Sequence, residues 1–209
     1  ENYMIFTEPL EFRINPEYSH EDELVQIVTD FRKAYATGEV DLKGYDKFLK
    51  TYGEYLIVDK PSFATNMKFM FQYQFGYMYM RYLLWNFVGR QNDEQGKYED
   101  LKGNWITGID VIDEFFIGSQ KNLPSDIANN KARNIYFGIP FILALIGLVF
   151  HAKRDIKSFY VLLVLFLFTG LALKIYLNER PFEPRERDYA LVGSFYVFAM
   201  WIAFGIYAI

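Results

Sequence analysis

Three long apolar stretches dominate the C-terminal part of the chain. They cover residues 135–150, 159–176 and 189–209, with lengths of 16, 18 and 21 residues, and the third contains no charged residue. A helix of about 20 apolar residues is long enough to cross the hydrocarbon core of a bilayer. The shortest stretch reaches that length if Asn134 and His151 are recruited at its ends. The pattern therefore predicts about three transmembrane helices.

Two short polar connections join these stretches, at residues 151–158 and 177–188. Short connections make neighbouring helices antiparallel, so residues 1–134 and 177–188 are expected on one side of the membrane and residues 151–158 on the other. Each connection contains three lysine or arginine residues, so the positive-inside rule does not assign the sides. Lys174, near the end of the second stretch, is expected to extend its amine outward to water.

The region before residue 62 favours two amphipathic helices. Ser19 is a potential N-cap for the first, Gly38 is a plausible stop, and the apolar positions follow helical spacing at Leu24, Ile27, Val28, Phe31 and Tyr35. The second helix is predicted to end before Pro61, with one face formed by Leu42, Tyr45, Phe48, Leu49, Tyr52 and Leu56. A small helical domain is favoured over a partner-binding surface.

Residues 66–88 are rich in aromatic rings that alternate with polar or small residues over the first half. Alternation is typical of a strand, but roughly 20 residues is too long for a strand and suits a helix. We predict an aromatic helix in the headgroup region or between other elements. A membrane-embedded segment is the alternative, although a lipid-exposed span is costly with the polar residues Lys68, Gln72, Gln74 and Arg81. Residues 89–134 are polar and predict a long loop with one short helix. The predicted fold class is mainly α, with polytopic membrane helices after a helical, water-facing or interfacial region over residues 1–134.

Charge follows the same division. Residues 1–134 contain 21 acidic and 15 basic residues, and residues 135–209 contain 5 acidic and 7 basic ones. The acidic balance leans weakly towards an extracytoplasmic first part. The chain has no cysteine and two histidines, which argues against thiolate sites and histidine triads. It begins without a methionine and stops inside an apolar run, so we expect an internal fragment of a longer protein.

The strongest candidate for chemistry is the connection at residues 177–188, which contains four acids and three arginines, Arg180, Arg185 and Arg187. Pro181 and Pro184 restrict its backbone. A guanidinium matches phosphate oxygens with two parallel hydrogen bonds, so arginines at a membrane surface suit a lipid-linked phosphate. The alternative is an ionic loop that pairs with itself and ends two helices.

A second, weaker cluster of polar side chains follows the aromatic helix: Arg81, Asn86, Arg90, Asn92 and Asp93. These groups suit sugar hydroxyls or phosphate, but a structural role is favoured, in which they cap the preceding helix and join it to the loop. Trp105 could stack on a sugar, but a role as an anchor at the membrane interface is favoured. Asp110 and Asp113, one turn apart, are weak candidates for a general base or a divalent metal, and a solvated face is favoured. Motifs for nucleotide, zinc and nucleic-acid binding are lacking.

Three segments carry a resemblance to a known family. They are residues 79–93 (YMRYLLWNFVGRQND), residues 103–105 (GNW) and residues 176–195 (YLNERPFEPRERDYALVGSF). In these segments the chain resembles a family of Bacteroidetes membrane proteins that is grouped with the protein O-mannosyltransferases of the GT-C superfamily. The resemblance extends from about residue 50 to the end.

The resemblance implies a glycosyltransferase of the bacterial inner membrane. Such enzymes transfer a sugar from a polyprenyl-phosphate donor to Ser or Thr of exported proteins, which would place residues 1–134 and 177–188 in the periplasm. Their catalytic carboxylate lies in the first extracytoplasmic loop, so it is expected outside this chain. Arg180, Arg185 and Arg187 become candidates for binding the donor phosphate, and dependence on a divalent metal stays open. The alternatives are a non-enzymatic membrane scaffold and a lipid-phosphate transporter.

Overall fold

The computed structural model describes residues 3–181 and 188–209, and of Asp188 only the backbone. With 62% of residues in helices and few in strands, the predicted mainly α class is confirmed. The chain divides into two compact units, Glu1–Gln72 and Tyr73–Ile209.

The first unit is a small helical domain with a two-stranded sheet. Its elements are β1 (Phe12–Ile14), a 3-10 turn (Pro16–Tyr18), α1 (Asp22–Ala36), α2 (Leu42–Thr51), β2 (Leu56–Val58) and α3 (Phe63–Phe69). Strands β1 and β2 are antiparallel, with Arg13 opposite Ile57. The core is formed by Met4, Phe12, Leu24, Val28, Tyr45, Phe48 and Leu56.

Helix α1 ends where the sequence predicted and begins later than predicted. Gly38, with φ of 79°, donates to the Tyr35 carbonyl, and Glu39 donates to the Ala34 carbonyl. These two bonds are the Schellman pattern that a left-handed glycine permits, which confirms the stop. The Ser19 hydroxyl instead donates to the Pro16 carbonyl at 2.8 Å. The prediction of Ser19 as N-cap is therefore wrong, because that hydroxyl closes the preceding turn.

Helix α2 is confirmed in its first part and is shorter than predicted. The Asp41 carboxylate accepts from the Gly44 amide at 2.7 Å and caps it. The helix ends at Thr51, and Leu56 lies in β2 opposite Ile14. Leu56 is buried in the same core as the helix, so its apolar character was correctly recognised but assigned to the wrong element.

The aromatic stretch is helical from residue 63 to residue 87, which confirms the helix predicted near 66–88. It consists of α3, a first π-helical segment (Met70–Met80) and α4 (Arg81–Phe87). The second unit continues with β3 (Gly89–Arg90), α5 (Asp110–Ile117), α6 (Ser125–Ala128) and β4 (Asn134–Ile135). Strands β3 and β4 pair antiparallel, so the loop predicted over residues 89–134 is closed at its base.

The remaining helices are α7 (Ile139–Arg154), α8 (Ile156–Leu167), a second π-helical segment (Phe168–Ala172), α9 (Leu173–Leu177) and α10 (Asp188–Ala208). Two helices are long and apolar enough to cross a membrane, by length and composition: Ile156–Leu177, with 22 residues, and Tyr189–Ala208, with 20. Helix α7 is shorter, with 16 residues.

Glycines let α10 approach α7 closely. A Cβ on Gly147 would lie 1.8 Å from the Trp201 carbonyl oxygen, and a Cβ on Gly205 would lie 2.0 Å from the Leu143 carbonyl oxygen. Small residues of this kind are typical of helix pairs that associate in membranes. The core around this contact consists of Tyr79, Tyr82, Leu83, Ala144, Leu191, Val197, Phe198 and Trp201.

The turn between α7 and α8 is tightly organised. The Asp155 carboxylate accepts from the amides of Lys157 and Ser158 and caps α8. A hydrogen bond with the Ser158 side chain, followed by these amide bonds, lowers the pKa of Asp155. The Trp201 indole donates to His151 Nδ1 at 3.4 Å, so His151 Nε2 is the nitrogen that donates to the Ser158 hydroxyl at 2.8 Å.

Candidate functional site

A buried ion pair marks the end of the helix Ile156–Leu177. Lys174 Nζ lies 2.6 Å from Glu179 Oε2, and the two side chains are only 3% and 4% exposed. Asn178, with φ of 41° and ψ of 50°, ends α9 in a left-handed conformation and turns the chain so that Glu179 faces Lys174. The prediction that Lys174 extends outward to water is therefore wrong, because an internal carboxylate neutralises it.

The first π-helical segment supports the loop that follows this ion pair. The Tyr73 hydroxyl donates to the Arg180 carbonyl at 3.0 Å, and Gln74 Nε2 donates to Asn178 Oδ1 at 3.1 Å. Tyr73 and Gln74 are both buried. A π-helix places successive side chains differently from an α-helix, and such segments are frequent at functional sites. Here it directs two adjacent polar side chains at one loop.

The arrangement fixes the backbone of residues 178–180 from two directions and leaves the Arg180 side chain exposed. Arg180 therefore lies at the end of an apolar helix of membrane length, beside a neutralised lysine. Such a position suits an anion at the membrane surface. Arg185 and Arg187 lie outside the described residues, so the structure addresses Arg180 alone among the three candidate arginines.

The second π-helical segment packs closely against Tyr79 of the first and Ser194 of α10. A Cβ on Gly170, in the second π-helical segment, would lie 2.6 Å from Tyr79 Cε2 and 2.8 Å from Ser194 Oγ. The Tyr79 and Ser194 hydroxyls form a short buried hydrogen bond. The two π-helical segments can therefore approach this closely only because residue 170 is a glycine.

Arg81, from the second candidate cluster, is buried and bound by the protein itself. Its Nε donates to the Tyr77 carbonyl at 3.1 Å, its Nη1 donates to the Gly103 carbonyl, and its guanidinium lies 4.6 Å from the centre of the Tyr77 ring. The Tyr77 hydroxyl accepts from the Tyr98 amide at 2.7 Å. Burial lowers the pKa of Arg81 and raises the pKa of Tyr77. Arg81 thus fastens the loop at residues 96–103 to the helix.

Asn92 has the same role as Arg81. Its Oδ1 accepts from the Gly103 amide at 2.9 Å, and its Nδ2 donates to the Leu101 carbonyl at 3.2 Å. Asn86 donates to the Tyr82 carbonyl at 2.9 Å within its own helix. Of the weaker cluster, the structure brings together Arg81 and Asn92. Both side chains bind the backbone of Gly103 and hold the loop to the helix.

Arg90 and Asp93 differ from the other members of that cluster. The Arg90 guanidinium lies 3.8 Å from the centre of the Trp85 ring, and its buried Nε has no hydrogen-bond partner within the described residues. Asp93 is exposed. Arg90 thus contacts Trp85 and also pairs through its backbone with Trp105. Arg180 instead contacts Tyr73 through its carbonyl.

The two aspartates singled out in the sequence have separate environments. Asp113 is buried and accepts hydrogen bonds from Thr107 and Gly108, whereas Asp110 is exposed and lies 3.2 Å from Lys121. The described ranges contain no group of three or more His, Asp or Glu residues that could hold a metal ion. Trp105 packs on Phe116, with ring centres 5.2 Å apart.

Sequence reasoning missed the ion pair and the two side chains that support the loop. A signal for the first was available, because Lys174 is the one charged residue between positions 158 and 178 and Glu179 follows five residues later. Tyr73 and Gln74 carried no such signal, since their direction depends on the π-helical winding. Comparison of the chain with protein-family models, curated proteins and solved structures finds no match, so the family resemblance stays a prediction.

Proposed function

We propose that this chain is part of a GT-C-type glycosyltransferase of the bacterial inner membrane, which transfers a sugar from a polyprenyl-phosphate donor to Ser or Thr of exported proteins. In this proposal residues 1–134 and 177–188 lie in the periplasm, and Arg180, Arg185 and Arg187 bind the donor phosphate. The observation that carries it is the placement of Arg180, exposed on a loop that Tyr73, Gln74 and Asn178 fix at the end of a membrane-length helix.

A polyprenyl-phosphate donor suits an arginine at the end of α9. A polyprenyl phosphate keeps its chain in the bilayer and its phosphate at the boundary, which is where α9 ends in this proposal. During transfer the Ser or Thr oxygen bonds to the anomeric carbon, the C–O bond from that carbon to the phosphate breaks, and negative charge increases on the departing lipid phosphate. A guanidinium on a loop with a held backbone stabilises that charge. A carboxylate takes the proton from the acceptor hydroxyl, and none of the residues named above is proposed for that role.

The proposal includes three spans, with α7 as the first. A helix of 16 residues is about 24 Å long, less than the roughly 30 Å of a hydrocarbon core. Residues 135–138 precede it and are apolar or glycine, which extends the membrane-compatible length. Its close contact with α10 through Gly147 and Gly205 supports a common environment for both helices. Exposed Ile142, Leu145 and Val149 would then face lipid.

Substitution of Arg180 by Gln in the full-length protein tests the donor-binding role. Loss of a charge-assisted bond to phosphate costs about 1.5–3 kcal/mol, so we expect affinity for a polyprenyl phosphate to fall about 10- to 150-fold and glycosylation of exported proteins to fall with it. Arg154→Gln is the matched control, because Arg154 is exposed at the end of α7 in the other connection. It should leave both quantities unchanged.

The outcomes separate the proposal from its alternatives. If Arg180→Gln lowers lipid-phosphate affinity and glycoproteins keep their sugars, the transporter is the better account. If neither quantity changes in Arg180→Gln or in an Arg185→Gln, Arg187→Gln variant, the arginines have no donor role, and a membrane scaffold is favoured. Far-UV circular dichroism in detergent establishes that each variant is folded.

A further inference from the structure

Helix α5 exposes a continuous apolar stripe. Val111 and Phe115, one turn apart, are 80% and 81% exposed, and Phe116 is 57% exposed. Asp113 lies on the opposite side of the helix and is buried, and Glu114 is exposed on the side away from Phe116. An exposed stripe of this kind, bordered by polar residues, is typical of a surface that contacts a membrane or another protein.

The orientation of α5 is fixed by its buried aspartate. The Asp113 carboxylate accepts from the Thr107 amide at 2.7 Å, from the Thr107 hydroxyl at 2.8 Å and from the Gly108 amide at 2.8 Å. Rotating the helix to bury Val111 and Phe115 would break three bonds to a carboxylate and remove their acceptor. The apolar stripe is therefore directed outward by the fold.

The turn before α5 lies against the residues that precede α7. A Cβ on Gly108 would lie 2.3 Å from Ile135 Cγ2 and 3.2 Å from Phe137 Cε1. The backbone there is also fixed, because the amides of Tyr136 and Gly138 both donate to the Val88 carbonyl. Helix α5 is thus attached at the level where α7 begins.

The residues that precede α7 and the start of α7 also expose apolar side chains. Ile135 and Phe137 are 41% and 56% exposed, and Ile139 and Ile142 at the start of α7 are 56% and 54% exposed. In a helix that crosses the bilayer, such positions face lipid. An apolar stripe attached beside the beginning of such a helix would lie at the boundary between headgroups and acyl chains.

We infer that α5 is an interfacial helix, which inserts Val111, Phe115 and Phe116 into the outer part of the bilayer beside α7. Lipid is the partner that this geometry fits, because the turn before α5 packs on Ile135 and Phe137, next to the exposed apolar start of α7. Aromatic rings such as Trp105 and Phe116 also favour the interface. The inference requires α7 to cross the membrane and does not depend on sugar transfer.

The absence of cysteine from the chain permits a direct test. Single variants Val111→Cys, Phe115→Cys and Glu114→Cys of the full chain are spin-labelled and placed in phosphatidylcholine nanodiscs. Collision of each label with oxygen, which concentrates in lipid, is compared with collision with a nickel chelate, which stays in water. We expect the oxygen-to-chelate ratio to exceed one at positions 111 and 115 and to fall below one at position 114.

Three results would overturn the inference. A ratio below one at all three positions would mean that the stripe faces water. A ratio above one at all three would place the whole helix inside the hydrocarbon. A label at 111 and 115 that collides with neither reagent would indicate a protein cover. All three positions are exposed, so the substitutions leave the core intact, and none of these readouts involves transferase activity.

Discussion

At the scale of single residues, the most consequential group is the Lys174–Glu179 ion pair. A charged amine inside an apolar helix is costly, and this one is accommodated because Asn178 reverses the chain and brings Glu179 to within 2.6 Å. Removing one partner of a buried pair leaves the other charge without its counter-ion, which costs more than the pair itself contributes. The pair therefore fixes the loop that carries Arg180.

Substitution of Lys174 by Met tests this role. Since both side chains are at most 4% exposed, we expect the free energy of unfolding in detergent to fall by roughly 3–5 kcal/mol. Lys153→Met is the control, because Lys153 is exposed near the end of α7 and should change stability by less than about 0.5 kcal/mol. Equal stability of the two variants would show that the buried pair does not support the loop.

Residue-level prediction from sequence succeeded where a local rule decides the outcome. Gly38 ends α1 because a left-handed residue satisfies the last carbonyls, and that rule needs only the sequence. It failed for Lys174, because snorkelling assumes that no internal carboxylate competes with water. It favoured a structural role for Arg81 and Asn92 but did not give Gly103 as their partner, since those bonds join residues up to 22 positions apart.

At the scale of elements, the packing of α7 against α10 depends on glycine. Backbone atoms of Trp201 and Leu143 occupy the space that side chains at Gly147 and Gly205 would need. Dispersion contacts between closely approaching backbones are a main source of helix association in lipid, where apolar burial from water contributes little. The existence of both helices was predictable from hydropathy, whereas the contact that joins them was not.

Gly147→Ala is expected to separate α7 from α10. A methyl group 1.8 Å from the Trp201 carbonyl oxygen forces a backbone shift, and overpacking of this kind costs about 1–3 kcal/mol. The measurement is the midpoint of unfolding in detergent. Leu145→Ala, at a position 46% exposed on α7, is the control and should lower the midpoint less. A midpoint for Gly147→Ala equal to that of the unaltered chain would contradict the close contact.

The aromatic element shows how far periodicity alone can lead. Its length and composition predicted a helix, and residues 63–87 are helical. Its winding as a π-helix over Met70–Met80 left no sequence signal, because alternating rings and polar residues suit several windings equally. The candidate site depends on that winding, since Tyr73 and Gln74 reach Arg180 and Asn178 from it.

At the scale of the whole molecule, the described residues combine a small helical unit with a second unit that contains two helices of membrane length. The proposed account adds α7 as a third span and places residues 1–134 and 177–188 on the same side. The donor-binding role of Arg180 and the interfacial position of α5 both require this arrangement. If α7 did not cross, and only Ile156–Leu177 and Tyr189–Ala208 did, Lys157 in the turn between α7 and α8 would lie on the same side as Asp93.

The most direct measurement is therefore the accessibility of single cysteines to a membrane-impermeant maleimide in cells with a permeabilised outer membrane and an intact inner membrane. We predict that Asp93→Cys is labelled, and that Lys157→Cys and Ile209→Cys are labelled only after the inner membrane is permeabilised. All three positions are exposed, so the thiols are reachable from the side on which they lie. Labelling of Lys157→Cys together with Asp93→Cys while the inner membrane is intact would contradict the three-span account.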